Sequence, residues 1–384
     1  MAYYCLRLPS IFRVTIVVGP ACLTFFTDFT GRFMSSISTI SLAATPEERL
    51  SRLTAWLDTL GLVQVESRRP ASADASFRRY FRLDVAPELR AKLGDTLIAM
   101  DAPPDRENVP AYLKVQALLL EAGVSVPAIV AQDVPNGFLL ISDLGNTTYL
   151  QRLTIDNAPF MYSDAVDTLI KFQLNSAPGV LPDYDRAFIE RELNLFPEWF
   201  IGKHLGITMT PEQQKQLDKV FEALIANCLA QQQVFMHRDF HSRNLMFLDQ
   251  GNPGVLDFQD AVFGPVTYDL GSLLRDAYVQ WDEELVLDWV VRYWQSAKLV
   301  GLPVNPDIDA FYQDFEFMAL QRHLKILGIF CRLNYRDGKA NYMADLPTVS
   351  DYVRKTANRY TVLKPLARLL DALEEKAPQV GYTF

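Results

Sequence analysis

The order of patterns along the chain predicts an α+β fold of two unequal parts. A small antiparallel sheet is expected over residues 45–144 and a larger, mainly helical region over residues 145–384. Three observations predict it. Between Leu62 and Ile141, short apolar or alternating runs follow one another as hairpin, strand, helix, strand, strand. After Gly145, apolar residues recur at helical spacing. Among those helices lies a hairpin-like stretch with a very polar loop, His237 to Asn244.

Taken in order, Thr45-Pro46-Glu47-Glu48 reads as a capping box with Pro at the first helical position. Leu50, Leu53, Leu57 and Leu60 mark one face of that helix, and Gly61 ends it. Leu62–Val65 and Phe77–Leu83 read as a hairpin around a loop of small residues, Pro70–Ser76. The loop's backbone amides near Ser76 and Phe77 can approach phosphates. Thr96–Met100 is a third strand, Val109–Ala122 an amphipathic helix, and Ala128–Val130 and Phe138–Ile141 the last two strands. Helices are then expected over Phe160–Asn175, Arg186–Gly202 and Pro211–Gln231, and later over Asp282–Val300, Asp307–Phe330 and Lys364–Lys376.

Composition narrows the function classes. The chain has 384 residues, enough for two cores, and its 49% hydrophobic and 22% charged content is that of a globular protein. A net charge of −9 argues against a nucleic-acid groove and gives no hint of an anionic membrane surface. Cys5, Cys22, Cys228 and Cys331 show no metal or disulfide spacing, which fits a reducing cytoplasm. Residues 1–33 carry Arg7, Arg13 and Arg32 against Asp28, and their apolar run is broken by Gly19-Pro20. That run is too short for a membrane span. We expect residues 1–44 to lie outside the core, with Met34 as a plausible start.

The polar loop carries the chemistry. An Asp at a strand end, Asp239, can orient and deprotonate an attacking hydroxyl. Asn244, five residues on, and Asp257, after the hairpin, can hold Mg²⁺ against nucleotide phosphates.

The spacing His237-x-Asp239-x-x-x-x-Asn244 followed by Asp257 resembles the catalytic loop and metal-binding Asp of the protein-kinase-like superfamily. Asp257-Phe258-Gln259 and Gly264-Pro265-Val-Thr-Tyr-Asp269 resemble its aminoglycoside phosphotransferase-like branch. That resemblance implies a bilobal kinase fold: a small five-stranded antiparallel N-lobe, a larger helical C-lobe, and ATP with Mg²⁺ between them. It implies adenine bonding by the backbone of Asp143 and Leu144, and a structural role for His237 and Asp269.

One departure stands out. Where the family's third strand usually has a Lys facing the phosphates, this chain has Met100. Arg78, Arg79 or Arg82 on the neighbouring strand can substitute, and alternation puts Arg78 and Arg82 on one face and Arg79 on the other. His241, Arg275, Arg322 and Arg332 are candidates for the acceptor pocket.

Asp74–Arg82, Met100-Asp-Ala-Pro-Pro104, Leu140–Gly145 and His237–Leu245 together resemble the bacterial anomeric amino-sugar kinases. Those enzymes phosphorylate N-acetylmuramate and N-acetylglucosamine at C1 in cell-wall recycling. A small-molecule sugar is therefore the expected partner. Protein acceptors are not expected, because no Ala-Pro-Glu motif stands between Asp257 and Asp269. A kinase of another small alcohol, such as an aminoglycoside, and a nucleotide-binding pseudokinase remain the alternatives.

Overall fold

The computed structural model describes residues 12–18, 21–27, 33–38, 45–72 and 77–376. Strands β1 (Phe12–Val18), β2 (Ala21–Thr27) and β3 (Phe33–Ser38) pair as a separate antiparallel meander. The expected five-stranded sheet follows. It comprises β4 (Val63–Ser72), β5 (Arg79–Val85), β6 (Thr96–Asp101), β7 (Ile129–Asp133) and β8 (Phe138–Ser142). Its order is β4-β5-β6-β8-β7, antiparallel throughout. β4 runs further than expected: Pro70 and Ser72 pair with Phe81 and Tyr80, so the loop begins later.

Helix α1 (Pro46–Leu60) starts on its capping box, with the Glu48 amide donating to Thr45 Oγ1 at 3.2 Å and the Thr45 amide to Glu48 Oε2 at 2.9 Å. Gly61 closes it at φ 62°, a left-handed position that favours Gly. Leu53 and Leu57 pack against Leu83, Val85, Leu97 and Ala99 on one face of the sheet. Each such buried Leu stabilises the fold by about 1.5–3 kcal/mol. The other face of β6, Ile98 and Met100, meets Tyr112, Val115 and Leu119 of α2 (Val109–Glu121). The pleat of β6 thus separates two cores.

Beyond the sheet come α3 (Ala158–Leu174), α4 (Arg186–Leu193) and α5 (Pro211–Ala230). The single helix expected over Arg186–Gly202 is divided. After α4, residues Phe196–His204 wind as a π-helix, with Leu205 donating to the Phe200 carbonyl at 3.0 Å. Pro197, at the start of that run, offers no N–H and crowds the carbonyl four residues back, so the α-helical ladder ends there.

Short ladders frame the polar loop: β9 (Gln233–Met236) pairs with β12 (Val262–Pro265), and β10 (Leu245–Met246) with β11 (Gly254–Val255). Helices α6 (Tyr268–Leu274), α7 (Glu283–Leu299), α8 (Ile308–Asp337), α9 (Leu346–Arg359) and α10 (Lys364–Lys376) complete the chain. α9 was not expected, although Leu346, Val349, Tyr352, Val353 and Thr356 form its buried stripe. α8 is the central strut. Gly328 lets it approach the turn before the π-helix closely, since a Cβ there would fall 2.4 Å from the Leu195 carbonyl.

Candidate active site

β9 delivers the chain into the polar loop at the foot of a cleft of about 630 Å³. His237 is fully buried. Its Nε2 meets the Leu256 carbonyl at 3.0 Å, beside Asp257, and its Nδ1 accepts the Asp239 amide at 3.2 Å. Burial, opposed by the charge of Asp239, pulls this ring down to about 4, so it is neutral at physiological pH.

Asp269, at the start of α6, accepts the His237 amide at 2.6 Å and the Arg238 amide at 2.9 Å. Burial pushes its carboxyl up to about 7 against those two donors. Arg238 lies at φ 78° and Asp257 at φ 60°. Non-glycine residues in this region cost about 1–3 kcal/mol each, a strain that clusters at functional loops. Here the surroundings hold them. Arg238 Nη2 donates to Glu192 Oε1 at 2.6 Å, and the Leu256 amide, next to Asp257, donates to the Asn244 carbonyl at 2.9 Å.

Asp239 stands at the centre. Its side chain keeps 39% of its surface open to the cleft although protein surrounds it. Burial would raise its carboxyl, but Lys325, His241, Arg322 and Arg238 outweigh it and hold the group well below the usual carboxylate range. Asn244 Nδ2 ties the loop by donating to the Asp239 carbonyl at 3.0 Å. Ser242 anchors it further through Asp276, which accepts both its amide and its hydroxyl. Asn244, Asp257, His241, Leu144 and Arg322 all line the same cleft.

The arginines of β5 and the one just before it divide by face. Arg78 is buried, with Nη2 at 3.2 Å from Asp257 Oδ1 and Nε at 3.5 Å from Glu107. Arg82 lines the cleft and pairs with Asp143, which also accepts Thr96 Oγ1 at 2.7 Å. Burial works against the Asp143 charge, but Arg82, Thr96 and the Gly145 amide hold its carboxyl below the usual range.

Arg79 does not reach the cleft. Together with Arg49 it clasps the fully buried Asp101 on the α1 side, which corrects its candidacy for nucleotide contact. Met100 is likewise buried beneath α2 rather than lining the cleft. Phe77 is 58% exposed under Arg106, and its amide donates to Glu107 Oε1 at 3.2 Å. Ser76 lies outside the described residues.

The acceptor candidates also separate. Arg322, 3% exposed, places Nη2 at 3.8 Å from Asp239 Oδ1. His241 packs edge-on to Tyr278, and burial lowers its basicity. Arg275 faces away, bonding Glu283 at 2.7 Å in a second cavity of about 530 Å³ with Tyr352, Lys355 and Arg359. Arg332 does not line the cleft, its charged neighbours being Arg336, Asp337 and Glu198.

Sequence reasoning missed Lys325, whose Nζ lies 2.9 Å from Glu192 and 3.2 Å from Tyr268 Oη. A signal was present. Gln321, Arg322, His323 and Lys325 crowd into an apolar helix, and buried polar groups need a reason.

The donor chemistry suits a hard cation bound jointly with phosphates. Among the described residues no three His, Cys, Asp or Glu side chains converge as a metal cage. Asn244 and Asp257 offer oxygen ligands in the cleft, and Mg²⁺ usually takes one or two carboxylates plus phosphate and water oxygens.

A two-part fold whose cleft gathers Asp239 and Asn244 from the polar loop and Asp257 from beyond the β10–β11 hairpin has its counterpart among known proteins. The chain belongs to the phosphotransferase enzyme family, which matches residues 67–302. It is 44% identical to the N-acetylmuramate/N-acetylglucosamine kinase of Neisseria meningitidis serogroup B, over 88% of this chain and 100% of that protein. It is also 44% identical to the kinase of the same name from Pseudomonas putida, over 86% and 98%. The fold is shared with ADP-bound aminoglycoside phosphotransferase APH(2'')-Ib (TM-score 0.53, 14% identity, 83% of this chain and 98% of that one). It is shared too with a Plasmodium vivax ethanolamine kinase (TM-score 0.57, 11% identity, 82% and 92%). The described residues contain no helix long and apolar enough to cross a membrane.

Proposed function

We propose that this chain is an ATP- and Mg²⁺-dependent kinase that phosphorylates the anomeric hydroxyl of N-acetylmuramate and N-acetylglucosamine, giving the sugar 1-phosphates in cytoplasmic recycling of cell-wall sugars. The observation that carries the reading is the charge of the cleft beyond Asp239: Arg243, Arg322 and Lys325 line it beside Tyr278 and Tyr342. A polycationic aminoglycoside would need carboxylates there, whereas the lactyl carboxylate of muramate gains a charge-assisted hydrogen bond worth about 1.5–3 kcal/mol. The name borne by both 44%-identical relatives supports the same acceptors.

In this reading Asp239 orients the acceptor hydroxyl and takes its proton. Leu144 and the backbone of Asp143 meet adenine, while Arg78 and Arg82 face the phosphates. Asn244 and Asp257 hold Mg²⁺, which neutralises phosphate charge when bound. The buried cation Arg78 answers the absence of a strand-three Lys, which was the ground for a pseudokinase. Residues 45–144 act as the nucleotide-binding lobe and residues 145–384 as the catalytic and acceptor lobe. Residues 1–44 lie outside both, so removing residues 1–33 should leave turnover unchanged.

The test is ³¹P and ¹H NMR of products formed from Mg²⁺–ATP and each sugar, beside kanamycin, choline and homoserine. A C1 phosphate shows coupling to the anomeric proton and lability in mild acid. Phosphate on C6, or turnover confined to kanamycin, would overturn the assignment.

A further inference from the structure

Three cations lie under Asp239, and two of them are already engaged. Arg238 and Lys325 share Glu192, at 2.6 Å and 2.9 Å. Arg322 differs. It sits one turn before Lys325 on α8, so both side chains project from the same face. Its Nη2 is 3.8 Å from Asp239 Oδ1, beyond hydrogen-bond length, and its Nη1 is buried with no partner among the described residues. A buried donor left unpaired costs about 1–3 kcal/mol. Arg238 Nε and Arg332 Nε are also unpaired among the described residues, but Arg238 is already bonded to Glu192 and Arg332 lies outside the cleft. Arg322 lines the same cavity as Asp239, so its guanidinium stands beside the space an acceptor would enter.

We infer that Arg322 is a catalytic residue that hydrogen-bonds the acceptor oxygen undergoing phosphorylation, bearing the negative charge this oxygen gathers as Asp239 takes its proton. The inference rests on the sugar-kinase reading above.

The step balances. The acceptor O–H proton passes to an Asp239 oxygen, and the acceptor oxygen's electron pair forms a bond to the γ-phosphorus of ATP. The bond from that phosphorus to the β,γ-bridging oxygen breaks, its electrons leaving with ADP. An atom bonded to both Asp239 and Arg322 is the reacting hydroxyl, because a carboxylate in that place would meet the charge of Asp239.

The experiment compares wild type with Arg322→Gln, Arg322→Lys and, as a control on the same helix outside the cleft, Arg332→Gln. kcat and KM are measured for neutral N-acetylglucosamine and for carboxylate-bearing N-acetylmuramate, with ATP affinity by calorimetry. Arg322→Gln should lose roughly 10²–10³ in kcat, by the same factor for both sugars, with ATP affinity unchanged. Arg322→Lys should recover about tenfold over Gln, and Arg332→Gln should behave as wild type.

A loss confined to the KM of N-acetylmuramate would make Arg322 a reader of the carboxylate and overturn the inference. So would a kcat within about threefold of wild type for both sugars. If thermal melts show that the Gln variant does not fold, the Lys variant decides by the same ratio between sugars. Wild-type inactivity on both sugars would instead remove the sugar reading itself.

Discussion

The two walls of the cleft manage charge differently. On the sheet side, Arg78 is held between Glu107 and Asp257, and Arg82 by Asp143 and the Gly145 carbonyl. On the helical side, Arg238, Arg322 and Lys325 surround Asp239, and Arg238 and Lys325 share Glu192 as counter-ion. The sheet-side cations are neutralised by carboxylates from both walls, so a phosphate bound there would have to displace them. The helical wall keeps surplus positive charge around Asp239. Negative charge developing during transfer is stabilised best where donors are already in place, since nothing then reorganises at the moment of reaction.

The largest effect should come from removing the anion at the centre of the helical wall. Asp239→Asn should keep the fold and ATP binding and lose roughly 10²–10⁴ in kcat. A value within about threefold of wild type would take Asp239 out of the mechanism. Its carboxyl is held below the usual range, so Asp239 stays ionised through the neutral region. kcat/KM should therefore show no acid limb from this group between about pH 5 and 8.

Glu192 tests the same wall through stability. Burial opposes its charge, but Lys325 and Arg238 prevail and draw its carboxyl down to about 2, below the usual carboxylate range. A depressed folded value means the stabilisation is complete above the ordinary value and fades as pH falls toward the depressed one. Glu192→Gln leaves two buried cations short of a partner and should cost roughly 3–5 kcal/mol in urea denaturation at pH 7. The gap from wild type should narrow at pH 3. An equal gap at both pH values would show that the carboxylate charge is not what holds this wall.

How much of this was legible in the sequence follows from distance along the chain. His237, Asp239, Asn244 and Asp257 fall between the paired strands β9 and β12, so their spacing alone points to the proposed chemistry. The five-stranded sheet was legible for the same reason, because its strands are consecutive and antiparallel. The charged walls were not. Glu192 meets Lys325 across two helices remote in sequence, and only packing brings them together. Among Arg275, Arg322 and Arg332 the choice depends on helix phase and on which cavity each face meets, and only Arg322 meets the cleft. The π-helical run Phe196–His204 was not legible either, because no regular period anticipates it.

Asp257, the proposed Mg²⁺ ligand, joins the walls, because it follows the β10–β11 hairpin yet is bridged to Arg78. Asp257→Ala and Asn244→Ala should each weaken Mg²⁺-dependent ATP binding in calorimetry by about tenfold or more, while ATP binding without Mg²⁺ changes less. Unchanged Mg²⁺–ATP affinity in both variants would remove them as ligands.

The smallest effects distinguish the two faces of one strand. Arg78 and Arg79 are adjacent, yet Arg78 reaches Asp257 and Arg79 reaches Asp101 behind the sheet. If the sheet wall binds phosphates, Arg78→Ala loses a charge-assisted hydrogen bond worth about 1.5–3 kcal/mol, a rise of roughly 10- to 150-fold in KM for ATP. Arg79→Ala should leave that KM alone and cost about 1 kcal/mol of stability. Asp101 keeps Arg49 as a partner, and Arg79 is partly exposed, with 32% of its side-chain surface open. A KM effect from Arg79 equal to that from Arg78 would mean that the pleat does not separate the two roles. A destabilised Arg79→Ala with normal ATP affinity is the result the register of β5 requires, since one residue's step along a strand turns a side chain to the opposite face.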